Sequence, residues 1–183
     1  KFDYIIVGGG LSGLHLSYCF LNDKYFKDYS ILIIDKGKSK MSDNYFSYWE
    51  SGDGNWDTIL ESKWDKGYFL SSKGKVKMDF SDYSYKTLSS LKFKEYVKKN
   101  IKKNKQFKFI NDTVLNIREE NNDIVVVGNK RNYYAKHIFD SRLNSSTIKK
   151  IKNHTSLKQH FIGWVVKTNK KTFNEKSFVF MDY

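Results

Sequence analysis

An α/β fold built on a parallel sheet is expected from three features near the amino terminus. Ile5-Ile6-Val7 is an apolar, β-branched run of the kind buried on both faces of a parallel sheet. It leads directly into Gly8-Gly9-Gly10-Leu11-Ser12-Gly13, a glycine turn that opens a helix. A second apolar run, Ile31-Leu32-Ile33-Ile34, then ends on Asp35, about 20 residues past Gly13. Strand, glycine turn, helix, strand and acid in this order hold a dinucleotide by its pyrophosphate and one ribose.

Each position of the unit has a physical role. Gly8 permits the tight turn, Gly10 lets a pyrophosphate approach the backbone, and Gly13 lets the helix pack close to the sheet. Gly9, Leu11 and Ser12 complete the turn, and the helix start aims free N–H groups and a partial positive charge at the phosphates. Leu11, Leu14, Tyr18, Leu21 and Tyr25 fall at helical spacing and are expected to form the apolar face. Asp35 is expected to accept from ribose hydroxyls. Its charge repels a 2′-phosphate, which favours FAD or NAD over NADP.

After the βαβ unit, residues 36–56 are expected to be irregular, with Gly37, Gly52 and Gly54 among Tyr45, Phe46, Tyr48, Trp49 and Trp56. Two short strands, Tyr68–Leu70 and Val76–Phe80, flank a Lys73-Gly74-Lys75 turn. A helix is expected over 88–103, with Leu91, Val97 and Ile101 apolar. Strands follow over 105–110 and 113–117. A hairpin then joins Asp123–Val127 to Arg131–Ile138 through Gly128-Asn129-Lys130. Further strands are expected over 159–167 and 178–181. The chain lacks an initial Met and stops inside an apparent strand, so a portion of a longer protein is expected.

Composition narrows the function. With 183 residues, 39% hydrophobic and 17% aromatic, the chain has material for a real core. The net charge of +13 invites a nucleic-acid reading. Against it, the basic residues are nearly all lysine, with only Arg118, Arg131 and Arg142 as arginines, and nucleic-acid sites favour arginine. The lysine run 98–105 reads as a solvated face, and no nucleic-acid partner is expected. Attraction to an anionic membrane surface stays open. No apolar run approaches the ~20 residues of a membrane helix. The single cysteine, Cys19, allows no intrachain disulfide, so a cytoplasmic location is expected; it sits mid-helix and reads as a small buried residue. The four histidines have no metal-ligating spacing, so no metal site is expected.

Several later blocks carry a resemblance. Asp3–Leu14 is similar to the start of many FAD enzymes. Ser47-Tyr48-Trp49, Phe139-Asp140-Ser141-Arg142, Gln159-His160-Phe161-Ile162-Gly163-Trp164 and Met181-Asp182-Tyr183 resemble blocks of the lycopene cyclase family of carotenoid biosynthesis. Asn44-Tyr45-Phe46 departs from that family's Arg-Thr-Trp, and Leu143 replaces its proline. The resemblance implies a Rossmann-type FAD-binding domain, a mixed sheet with helices and β-hairpin insertions, over 1–150. The truncated beginning of a β-rich substrate-binding sheet would occupy 151–183. It implies acid-initiated, non-redox cyclisation of the ends of lycopene by an isomerase-class enzyme, with FAD kept reduced by NAD(P)H. Lycopene would be the substrate, with the protein cytoplasmic and peripheral to the membrane. The acid would lie beyond Tyr183, leaving the catalytic residues unknown here. By the same analogy the Val114 backbone meets adenine and Asp140 lies near the cofactor. Arg142 pairs with a carboxylate or a phosphate, and Phe161 and Trp164 line a carotenoid pocket or plain core. Another FAD-dependent oxidoreductase, a hydroxylase or isoprenoid reductase, is the alternative. A basic binding module without catalysis is the third reading.

Overall fold

The structure is a computed structural model that describes residues 1–37, 44–121, 123–142, 157, 163–164 and 166–182. It is a mixed α/β fold. In chain order the elements are β1 (Phe2–Val7), α1 (Leu11–Asn22), β2 (Ile31–Asp35), β3 (Tyr45–Ser51), β4 (Leu60–Trp64), β5 (Gly67–Ser71), β6 (Gly74–Met78) and β7 (Tyr83–Ser89). They continue with α2 (Ser90–Lys102), β8 (Phe107–Asn111), β9 (Val114–Glu120), β10 (Asp123–Gly128), β11 (Asn132–Asp140) and β12 (Phe178–Asp182).

The main sheet has six strands in the order β8-β2-β1-β11-β10-β9. Strands β8, β2, β1 and β11 run parallel, and β11, β10 and β9 form an antiparallel meander. Alternation sends the two faces of the parallel strands to different layers. Ile6, Ile31 and Ile33 pack with Leu14 and Phe20 of α1 and with Phe93, Val97 and Ile101 of α2. Ile5, Val7, Leu32 and Ile34 pack with Val114, Val126, Tyr133 and Ala135 of the meander. The strands are covered on both sides, which is why they read as continuous apolar runs.

α2 starts where Ser89 Oγ accepts from the N–H groups of Leu91 (3.2 Å) and Lys92 (3.3 Å). Phe93, Val97 and Ile101, one turn apart, give it a buried stripe, each worth roughly 1.5–3 kcal/mol of burial. Lys99 and Lys102 stand in its last turn, where cations suit the helix dipole.

Two further sheets have three strands each, ordered β12-β5-β6 and β3-β7-β4. By contacts the chain falls into two units. One comprises Lys1–Tyr48, Gly54–Ser62 and Thr87–Arg142; the other comprises Trp49–Asp53, Lys63–Lys86 and Leu143–Tyr183. In the second, Trp64, Tyr85 and Phe178 pack ring to ring, and Trp49 and Phe80 meet edge-on at 4.7 Å.

Several expectations need correction. Residues 45–51 form a strand rather than part of an irregular segment. Cys19 is exposed, because the buried stripe of α1 passes through Gly13, Leu14, Ser17 and Phe20. Leu11 and Tyr25 leave that apolar face: Leu11 is exposed at the helix mouth, and Tyr25 lies beyond α1 in a short 3₁₀ turn. The described part of 159–167 carries no strand, and Trp164 is 86% exposed, which removes it from any core. Gln159, His160, Phe161, Ile162, Leu143, His154 and Tyr183 lie outside the described residues.

Two carboxylates fasten the main sheet. Asp112 accepts from Thr113 N (2.8 Å), Lys130 N (3.2 Å) and Tyr133 Oη (2.8 Å). It is only 4% exposed. Burial pushes its carboxyl up, but the hydrogen bonds from Tyr133, Lys130 and Thr113 outweigh that and hold it below the usual range. Replacing Asp112 with alanine orphans these donors, including a buried phenol. A loss of about 2–3 kcal/mol in urea unfolding is expected.

Asp3 clamps the β1–β2 junction, accepting from Ser30 N (2.9 Å), Ser30 Oγ (2.8 Å) and Lys136 Nζ (3.1 Å). The Ser30 backbone and hydroxyl hydrogen bonds lead in lowering its carboxyl to about 2. Its folded pKa is therefore below its unfolded value. The stabilisation is present above the ordinary value of 3.8 and is lost as pH falls toward about 2. With Asp3 partly solvated, the amount is on the order of 1 kcal/mol. Unfolding midpoints measured from pH 5 to pH 2 should fall less steeply in Asp3→Asn than in the parent.

Candidate functional site

The site lies at the carboxyl ends of the parallel strands, where Val7 of β1 stands beside Ile34 of β2 and Asp140 of β11. The glycine turn leaves β1 there. Gly8 has φ +105°, a conformation L side chains avoid, and its N–H donates to the Ile34 carbonyl at 2.8 Å. A Cβ on Gly13 would sit 2.0 Å from the Gly8 carbonyl oxygen, so only glycine lets the helix start this close to the turn. A Cβ on Gly10 would meet nothing within 4 Å. Gly10 is the N-cap of α1 and no side chain caps it, so the first-turn amides of Leu11, Ser12 and Gly13 face an open mouth. Leu11 and Ser12 are exposed at that mouth.

Asp35 faces the turn. Its Oδ2 accepts from Gly9 N at 2.7 Å and its Oδ1 from Gly37 N at 2.8 Å. The Asp35 carbonyl accepts from Asp112 N at 2.9 Å. Asp35 thus fixes the turn, and each carboxylate oxygen keeps a further lone pair.

Asp140 and Arg142 form a second cluster at the same edge. Arg142 donates from Nε (2.8 Å) and Nη2 (2.8 Å) to the Asp140 carboxylate, and from Nη1 to the Val114 carbonyl at 2.7 Å. Of the two partners the sequence left open for Arg142, the structure shows the carboxylate. The Arg142 hydrogen bonds hold the Asp140 carboxyl below its usual range. This fork ties the end of β11 to the start of β9. Arg142→Gln is expected to cost about 1 kcal/mol, and Arg142→Lys should recover less than half of it, because lysine lacks the planar fork. Thermal melts of both variants check this.

Sequence reasoning missed Ser141. Its Oγ donates to the Val7 carbonyl at 2.9 Å and its N–H to the same oxygen at 2.9 Å, which fastens the end of β1 just before the turn. The available signal was a hydroxyl immediately after the strand that neighbours β1. Among the described residues no group of three or more His, Cys, Asp or Glu is placed to hold a metal ion. Among them, no helix is long and apolar enough to cross a membrane.

A family model described as lycopene cyclase protein matches residues 3–183. The chain belongs to the lycopene cyclase protein family. No curated protein matches it. Solved structures share its fold at low identity. p-Nitrophenol 4-monooxygenase PnpA from Pseudomonas putida DLL-E4 is 15% identical, with 81% of this chain and 42% of that one covered and a TM-score of 0.62. CtdE in complex with FAD and substrate 4 is 15% identical, with 76% and 37% covered and a TM-score of 0.57. NikD, an amino acid oxidase, is 9% identical, with 76% and 51% covered and a TM-score of 0.54. This family member therefore spans about half or less of the length of these structures.

The comparisons correct the expected chemistry. The fold is shared with monooxygenases and an oxidase, which are redox enzymes. The expectation of acid-initiated, non-redox cyclisation is overturned on that ground. Lycopene as the substrate falls with it: the substrate named for PnpA is p-nitrophenol, and PqsL is solved with 2-aminobenzoylacetate. The flavin expectation is supported, since CtdE carries FAD on this fold.

Proposed function

We propose that this chain is the FAD-binding part of a flavin-dependent oxidoreductase that acts on a small organic substrate, with NAD(P)H as electron donor. The observation that carries the reading is the glycine turn: Gly13 packed on Gly8, Gly10 open, and Asp35 bonded to Gly9. The mouth fits a diphosphate, because nothing would obstruct it at Gly10 and no side chain caps the helix.

In this reading Gly8, Gly9 and Gly10 shape the cradle, and the amides of Leu11, Ser12 and Gly13 hold the pyrophosphate. Asp35 accepts from the adenosine ribose and discriminates against a 2′-phosphate. The Val114 carbonyl, positioned by Arg142, offers its second lone pair to the adenine amine. Asp140 keeps Arg142 in place. When bound, FAD supplies the hydride and electron chemistry. Residues 1–150 are assigned to the dinucleotide-binding part with its β-hairpin insertions and 151–183 to the opening of a substrate-binding sheet, to which β5 and β6 of the first range add by the pairing of β12 with β5.

The test is a purified full-length protein assayed for bound flavin, then for flavin bleaching by NAD(P)H and re-oxidation by air. A yellow protein that NAD(P)H bleaches supports the proposal. A colourless protein that leaves added FAD fluorescence unchanged overturns it.

A further inference from the structure

A second concave site opens on the outer edge of the main sheet, on residues that the glycine turn does not use. It has a volume of about 690 Å³ and is lined by Lys98 and Lys102 of α2, Phe109–Asn111 of the edge strand β8, and Lys130, Arg131 and Tyr133 of the β10–β11 hairpin. Four cations thus converge from two separate segments on one concavity, and among the described residues no carboxylate lines it. Among the described residues none of the four is in an ion pair within 4 Å.

Their restraints are non-ionic. Lys130 Nζ donates to the Asn111 carbonyl at 2.9 Å. Lys98 Nζ lies 5.4 Å from the Phe109 ring centroid, and the Arg131 guanidinium lies 5.2 Å from that of Tyr133. Such contacts orient a cation without neutralising it. Asp112 sits beneath the hairpin and its buried carboxylate acts on Lys130, but one negative charge stands against four cations, so the cleft keeps a net positive charge. A solvated lysine face spreads its charges on a convex surface. Here like charges are gathered in a hollow of small-ligand size, which costs repulsion unless an anion fills it.

We propose that this cleft binds a soluble phosphate-bearing ligand of nucleotide size, with Lys130 and Arg131 on the phosphate and Lys98 and Lys102 closing from α2. The cleft uses none of the cradle residues, although Asn111 of its lining pairs with Asp35 across β8 and β2, so saturating FAD is what keeps the two sites distinguishable in the test.

The test uses the full-length protein saturated with FAD and titrated calorimetrically with adenosine 2′-monophosphate, inorganic phosphate and adenosine. Vesicles containing phosphatidylglycerol form a separate arm. The expected result is binding of the phosphate-bearing probes and not of adenosine. That binding should weaken at least tenfold in the Lys130→Gln/Arg131→Gln variant and fall with added salt. Both positions are exposed, so FAD retention and the thermal midpoint should stay at parent values, which separates a lost site from a lost fold. Equal binding of adenosine and its phosphate, or full binding by the variant, overturns the proposal. Capture by the vesicles without binding of either soluble phosphate also overturns it.

Discussion

Gly13→Ala is expected to abolish measurable FAD retention and to destabilise the protein by about 3 kcal/mol or more. The new methyl group would stand 2.0 Å from the Gly8 carbonyl oxygen and 3.1 Å from Ser141 Oγ. The first obstruction is backbone, which no rotamer change relieves, so the cost lies at or above the ~1–3 kcal/mol typical of overpacking. Either α1 moves off the sheet or the turn opens, and both misdirect the first-turn amides. Gly10→Ala isolates the binding term. Its methyl group meets no protein atom within 4 Å, so stability should fall by only about 1 kcal/mol, the N-cap preference for glycine over alanine. FAD affinity should nevertheless fall at least tenfold if, as proposed, the diphosphate approaches at Gly10, where the added carbon would stand. Fluorescence titration with FAD, paired with urea unfolding of both variants, separates the two effects. Undiminished FAD binding by Gly10→Ala would remove the pyrophosphate from this turn.

The turn was legible because each part of it is imposed by local sterics. Gly8 needs positive φ, Gly13 needs the absence of a Cβ, and the double burial of Ile5–Val7 and Ile31–Ile34 leaves continuous apolar runs. The hairpin between β10 and β11 was legible from its Gly128-Asn129-Lys130 turn, but none of these residues takes the positive φ that such a turn suggests; Gly128 is needed there because a Cβ would meet the Asp112 carboxylate. The β3 and β7 strands were not legible, because their inward positions are partly polar. β7 buries Ser84, Lys86 and Leu88 alternately, and β3 turns Phe46, Tyr48 and Glu50 to its less exposed side. An alternation in which lysine and glutamate occupy sheltered positions gives no hydrophobic period. The Arg142 fork was hidden because its partners, Asp140 and the Val114 carbonyl, are joined by the sheet and not by spacing along the chain. The family resemblance located the right family, but the chemistry it implied did not follow from the fold.

The sheltered ion pair behind that hidden strand carries the other large expected effect. Lys86 is fully buried, and its Nζ donates to Glu50 Oε2 at 2.8 Å and to the Gly52 carbonyl at 2.9 Å. The two partners are not equivalent, because the Glu50 side chain keeps 32% of its surface in water while that of Lys86 keeps none. Removing the acid takes the Glu50 carboxylate from a fully buried ammonium, so Glu50→Ala should cost about 3 kcal/mol. Removing the lysine leaves a carboxylate that water can reach, so Lys86→Met should cost markedly less, about 1–2 kcal/mol, with the methionine refilling the space. The double variant should be more stable than Glu50→Ala alone, since the buried ammonium is gone. Urea unfolding of the three variants decides the matter. Equal losses in both single variants, or no recovery in the double, would mean that the pair is held by packing and not by the compensation of a buried charge.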